Sequence, residues 1–103
     1  MNYTRFIIVT GKKVFEQKAD KVSISFEIPH ESGSLYHKLS HFIYNGINMN
    51  KIESRPIAEK TWEYRFFVDF DGNLKDAAVQ NALRGLKEET TCLKILGNYV
   101  AAK

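Results

Sequence analysis

The chain holds one cysteine in 103 residues, so Cys92 has no partner for an internal disulfide and the fold must be held by packing. That fits a reducing, cytoplasmic setting. Prolines number two, Pro29 and Pro56, and each falls where a strand-like pattern stops. No apolar run exceeds four or five residues, far short of a membrane span, and no signal-peptide pattern opens the chain. A one-sided charge is missing too. The net charge is +3, and residues 1–21 account for it, with Arg5, Lys12, Lys13, Lys18 and Lys21 against Glu16 and Asp20. The remainder is neutral. Binding a phosphate backbone needs cations clustered on a folded face, so no nucleic-acid partner is expected. There is no Gly-x-Gly-x-x-Gly or P-loop to cradle a nucleotide, and no cofactor is expected. What is present is an ordinary globular composition, 44% hydrophobic and 26% charged, enough for one domain with one core.

The hydrophobic pattern divides the chain. Residues 3–9 suit a strand, and 11–21 are polar, which predicts a leader strand and linker over 1–21 and a folded domain over 22–100. Val22, Ile24, Phe26 and Ile28 alternate with Ser23, Ser25 and Glu27, the period of a half-buried strand. From Ser34 the period becomes helical, with Leu35, Leu39, Phe42 and Ile43 spaced along one face, and Asn45-Gly46 closes that helix. A strand follows from about 47 to 56. Its apolar residues Ile47, Met49 and Ile52 change parity, which predicts a bulge near Asn50-Lys51. Trp62, Tyr64, Phe66, Val68 and Phe70 alternate with Glu63, Arg65, Phe67 and Asp69. Asp71-Gly72-Asn73 then reads as a turn offering an N-cap. Leu74, Ala78, Val79, Ala82, Leu83 and Leu86 give a second amphipathic helix, and residues 91–96 a last strand loosened by Gly97 and Asn98.

The order from residue 22 is β-α-β-β-α-β. Right-handed crossovers make it an α+β, ferredoxin-like plait: one four-stranded antiparallel sheet with two helices on one face. Its open edges invite a second copy.

Two segments could carry chemistry. Residues 29–33 lead into the first helix, whose initial N–H groups lack internal acceptors and sit at the positive end of the dipole, suiting a carboxylate. Gly33 would allow close approach, and Ser34 adds a small hydroxyl. Taken alone, Ser32-Gly33-Ser34 reads more readily as a helix cap. About twenty residues on stands Lys51-Ile52-Glu53-Ser54-Arg55-Pro56. By itself it is an Arg–Glu pair at a strand end with a proline stopping the pairing.

Together, the two segments resemble the paired amino-acid-binding motifs of the ACT domain that regulates prephenate dehydratases. The resemblance spans about residues 22–100. It implies a dimer in which the first loop and helix start of one copy meet the second strand of the other, enclosing L-phenylalanine. Glu31, Ser32, Gly33, Ser34 and Leu35 would then supply backbone groups and one wall. Asn48, Met49, Asn50, Lys51 and Ile52 would supply polar contacts and the ring pocket. Glu53-Ser54-Arg55-Pro56 matches the family motif at four positions; Glu53 and Ser54 are counted with the binding residues, Arg55 and Pro56 as shaping the site and interface. Ser34 stands where the family usually has alanine, and Tyr36 where it has a smaller aliphatic residue. Upstream, Thr4-Arg5-Phe6 resembles a motif near the end of the dehydratase catalytic domain. Thr4 would belong to that site, so no catalytic residue is expected in this chain by itself. The implied role is feedback regulation of a parent prephenate dehydratase, alone or fused to chorismate mutase. The alternative is a free-standing ACT module controlling a separate enzyme.

Other constellations are poorer. His37 and His41 stand one helical turn apart but lack a third ligand, so a solvated helix face is expected and no metal. An RNA-recognition module shares the element order, and Phe67-Val68-Asp69-Phe70 resembles the tail of its base-stacking strand. Tyr64 and Phe66, however, occupy its glycine positions, and Glu63 and Asp69 stand where phosphates would object.

Overall fold

The structure is a computed structural model and describes residues 18–29, 34–59 and 63–101. The expected leader strand over 3–9, Thr4 and Trp62 lie outside the described residues. Six elements follow in the order read from the sequence: β1 (Lys21–Pro29), α1 (Ser34–Tyr44), β2 (Met49–Pro56), β3 (Glu63–Asp71), α2 (Ala77–Glu89) and β4 (Thr91–Tyr99). The strands form one antiparallel sheet ordered β2-β3-β1-β4, the ferredoxin-like arrangement.

The core lies between the sheet and the helices. Val22, Ile24, Phe26 and Ile28 of β1 and Phe66, Val68 and Phe70 of β3 meet Phe42 of α1 and Val79, Ala82, Leu83 and Leu86 of α2. Phe42 and Phe70 bring their rings to 5.0 Å, and Phe26 and Phe66 to 5.8 Å. β1 is central, and its other face is buried as well rather than half-solvated. Ser23 donates to Asp69 Oδ1 at 2.7 Å, and Glu27 accepts from Arg65 Nη2 at 2.6 Å. Longer side chains on neighbouring strands thus roof over the short ones.

Several boundaries differ from the sequence reading for local reasons. α2 begins at Ala77 rather than near Leu74, and its N-cap is Asp76 rather than the Asp71-Gly72-Asn73 turn. Asp71 is instead engaged by Lys21 and by Asn48 Nδ2. β4 does not loosen at Asn98. That side chain is buried, accepts from Leu74 N at 3.0 Å and donates to Lys21 O at 2.8 Å, so it locks the strand end to the β3–α2 loop. His41 is only partly solvated: its Nε2 donates to Glu89 Oε1 at 2.9 Å and its ring lies on Gly85, where a Cβ would come within 2.5 Å. Gly46, at φ 68°, ends α1 as expected, with its N–H on Ile43 O.

Candidate functional site

β2 is an edge strand with seven of its eight residues exposed and only Met49 partly covered. The parity change read from its sequence appears as a bulge. Met49 pairs with Phe70 and Lys51 with Asp69, so Asn50 is the extra residue. The bulge sorts the strand. Met49, Ile52, Ser54 and Pro56 share the face of Phe70, Val68, Phe66 and Tyr64, towards the helices. Lys51, Glu53 and Arg55 share the helix-free face with Asp69, Phe67 and Arg65. On that face the Arg55 guanidinium lies 5.7 Å from the centroid of Phe67, so the ring a base would need is covered by an arginine of the same chain.

At the start of α1, Ser34 is 4% exposed and its Oγ has no hydrogen-bond partner among the described residues. Leu35 is half-buried and packs on the core. Glu31, Ser32 and Gly33 lie outside the described residues. In the second βαβ half, Asn98 ties down the turn before α2 by accepting from Leu74 N, while Asp76 makes no side-chain capping bond at the helix start itself. Among the described residues of the two helix approaches, Ser34 Oγ is a buried side-chain atom left unmet.

The two halves of the expected site stand at opposite ends of one domain. β1 ends at Pro29 beside Glu63, and β2 ends at Pro56 beside Tyr64, so these strand ends and the start of α1 share one end of the sheet. Asn48 and Asn50 sit at the other. Asn48 Nδ2 donates to Asp71 Oδ2 at 2.9 Å, and Lys21 Nζ reaches both Asn50 Oδ1 at 3.2 Å and Asp71. An eight-residue strand is about 25 Å long, too far for one small ligand to span. Only Ser54 and Pro56 of the second segment lie near the α1 start on the helix side.

Charge at the Asn48 end is well ordered. The hydrogen bond from Lys21, then that from Asn48, holds the Asp71 carboxyl below the usual carboxylate range, and the same pairing with Asp71 raises Lys21. Shallow pockets lie among the described residues. One, of about 370 Å³, is lined by Lys18, Asp20, Asn73 and Asp76 among others. The second, of about 240 Å³ on the helix-free face, is lined in part by Glu27, Arg65, Cys92 and Lys94. Neither includes Ser34 or any residue of β2. No cluster of three metal-ligating side chains occurs among the described residues. No helix there is long and apolar enough to cross a membrane.

The plait, together with the two segments described above, defines an ACT-type domain. No model of a known protein family matches the chain. Individual proteins do. The bifunctional chorismate mutase/prephenate dehydratase of Aquifex aeolicus (strain VF5) is 45% identical over 101 residues, which is 98% of this chain and 28% of that protein. Among solved structures, prephenate dehydratase from Arthrobacter aurescens in complex with L-Phe aligns with a TM-score of 0.76 at 34% identity, covering 84% of this chain and 29% of that one. GqqA, a quorum quenching acylase, aligns with a TM-score of 0.78 at 25% identity, covering 82% of this chain and 44% of that one. The chain spans 28% of the length of several curated relatives it matches. It corresponds to the ACT region, about 100 residues long, of chorismate mutase/prephenate dehydratase proteins, a fragment of much larger enzymes.

Proposed function

We propose that this chain is a regulatory domain that binds L-phenylalanine between two copies and so mediates feedback inhibition of a prephenate dehydratase. The observation that carries this is the separation of the site's halves. The α1 start and the Asn48–Asn50 segment stand at opposite ends of β2, and a twofold axis crossing that exposed edge would bring each beside its counterpart. The Arthrobacter aurescens protein, similar to this chain, is a complex with L-Phe, which supports the ligand class.

In this reading the ligand carboxylate meets the first-turn amides of α1, aided by the helix dipole. Glu31, Ser32, Gly33, Ser34 and Leu35 line that side. The partner's Asn48, Met49, Asn50 and Ile52 offer amide groups and an apolar wall, while Ser54 and Pro56 close the near end. Lys51, Glu53 and Arg55 point to the helix-free face and act on assembly. In the parent protein, phenylalanine would favour the quaternary arrangement that holds the dehydratase site inactive, by no more than its differential affinity for the two states. A free-standing module acting on a separate enzyme would bind identically and differ only in what it controls.

Calorimetric titration with L-phenylalanine, using L-tyrosine and D-phenylalanine as controls, tests the reading. The expected result is saturable, stereospecific heat at one ligand per chain, since a twofold dimer holds two equivalent sites. Absence of heat from a chain that light scattering shows to be dimeric would remove phenylalanine as the ligand.

A further inference from the structure

The edge strand β4 is irregular where it meets β1. Its register shifts between Ser23 and Ile24 and again between Ser25 and Glu27, and Cys92 adopts φ 54°. At each shift β4 carries one residue more than β1. Bulges of this kind re-aim side chains and recur beside active sites. These two bracket Lys94, the residue paired with Ser25, and there the helix-free face holds the cavity of about 240 Å³.

We propose that this cavity is a second binding site, for a small carboxylate with an apolar body and no ammonium group. Its lining carries Arg65 and Lys94 against Glu27, one positive charge in excess. Glu27 is 4% exposed, and its Oε2 accepts from Arg65 Nε at 3.2 Å and Nη2 at 2.6 Å, so those two charges answer each other. Lys94 is exposed and has no ion pair among the described residues. Beside it lies a buried hydroxyl. Ser23 uses its own on this face to bond Asp69 and Tyr99. Ser25, 5% exposed and lining the cavity, makes no hydrogen bond through its hydroxyl among the described residues. A carboxylate seated here would take a charge-assisted bond from Lys94 and a second from Ser25. An ammonium would meet Arg65 and Lys94 with like charge.

The walls set the rest of the ligand. Phe67 pairs with Ser25 from the β3 side and Leu96 flanks Lys94 on β4. Both are half-buried, so an apolar body gains by covering them. The Arg55 guanidinium, 5.7 Å from the Phe67 centroid, adds another cation on this face, with Glu53 next to it along β2. Drug-sized ligands occupy about 300–1,000 Å³, so the occupant is smaller than these. No residue of α1 or β2 lines the cavity, which lies on the sheet face away from the helices. The site is therefore separate from the one proposed for L-phenylalanine and does not rest on it.

Cys92 reports occupancy, because it is the chain's one thiol, is exposed and lines the cavity. The full chain is alkylated with iodoacetamide in the presence of hydrocinnamate, of the amine with the same carbon skeleton, or of acetate. Hydrocinnamate should slow the alkylation saturably in the millimolar range, and the amine and acetate should not. Each variant is compared with its own ligand-free rate. In Lys94→Glu the concentration giving half-protection should rise about tenfold, and in Ser25→Ala about threefold. Absence of protection by hydrocinnamate, or equal protection by the amine, would overturn the site. Equal protection by acetate would overturn the apolar walls, and an unchanged half-point in Lys94→Glu the carboxylate anchor. Calorimetry with L-phenylalanine should read the same for Lys94→Glu and the native chain, so failure here leaves the phenylalanine reading standing.

Discussion

A buried hydroxyl without a partner costs a folded domain about 1–3 kcal/mol of lost hydration. Ser34 carries such a group on the first turn of α1. A ligand carboxylate or ammonium bound at that helix end would supply the missing partner. Ser34→Ala should then move two quantities in opposite directions. The ligand-free domain should gain about 1 kcal/mol, since the orphaned oxygen is gone. Phenylalanine should bind about five- to tenfold more weakly, since one hydrogen bond is lost. Urea denaturation and calorimetry on the same protein read the two effects; a loss of both stability and affinity would mark Ser34 as a structural cap. The position could be singled out in the sequence, because serine stands where related motifs carry alanine. That its oxygen has no partner could not, because hydrogen-bond satisfaction depends on what packs around the helix start. His41 shows the same limit. Its place on α1 was visible, but its seat on Gly85 and its bond to Glu89 come from a helix more than forty residues away.

The elements themselves were largely written in periodicity. Strict alternation in β1 and β3 gave their faces, and the parity change between Met49 and Ile52 gave the bulge at Asn50. The double register shift of β4 was not legible, since nothing in 91–99 breaks alternation as openly. The helix start was misread for an electrostatic reason: Asp71 serves Lys21 and Asn48 across three strands, and so does not cap α2. That tie has a pH signature. A carboxyl held below its ordinary value binds fewer protons folded than unfolded, so its contribution is complete above about pH 4 and disappears as pH falls through the folded-state value. Glu89, lowered mainly by its bond to His41, adds in the same direction. Urea midpoints should therefore fall as the pH drops from about 5 to about 3. Asp71→Asn should flatten part of that fall. The effect should be modest because both partners are partly solvated. An unchanged pH slope in Asp71→Asn would show that the tie contributes nothing in solution.

At the scale of the whole molecule, the proposed site is a property of two chains. The sequence displayed both segments about twenty residues apart, and the resemblance they carry implied a site shared between two copies. The plait is consistent with that: it separates the α1 start from Asn48 and Asn50 by the length of a strand, because β1 and β2 run in the same direction with α1 returning between them. A ligand held across the twofold must then bind dimer in preference to monomer, and linkage fixes the consequence. At a hundred times its dissociation constant, a ligand adds about 2.7 kcal/mol per site to the state that binds it. Two sites would add about 5 kcal/mol, tightening dimerisation by roughly four orders of magnitude if the monomer binds none. Sedimentation across a dilution series, with and without saturating L-phenylalanine, reads this directly. The expected outcome is a dimer that persists to much lower concentration with the ligand, with D-phenylalanine inert. Equal dissociation in its presence and absence would mean that the ligand does not distinguish dimer from monomer, and so cannot lie across the interface.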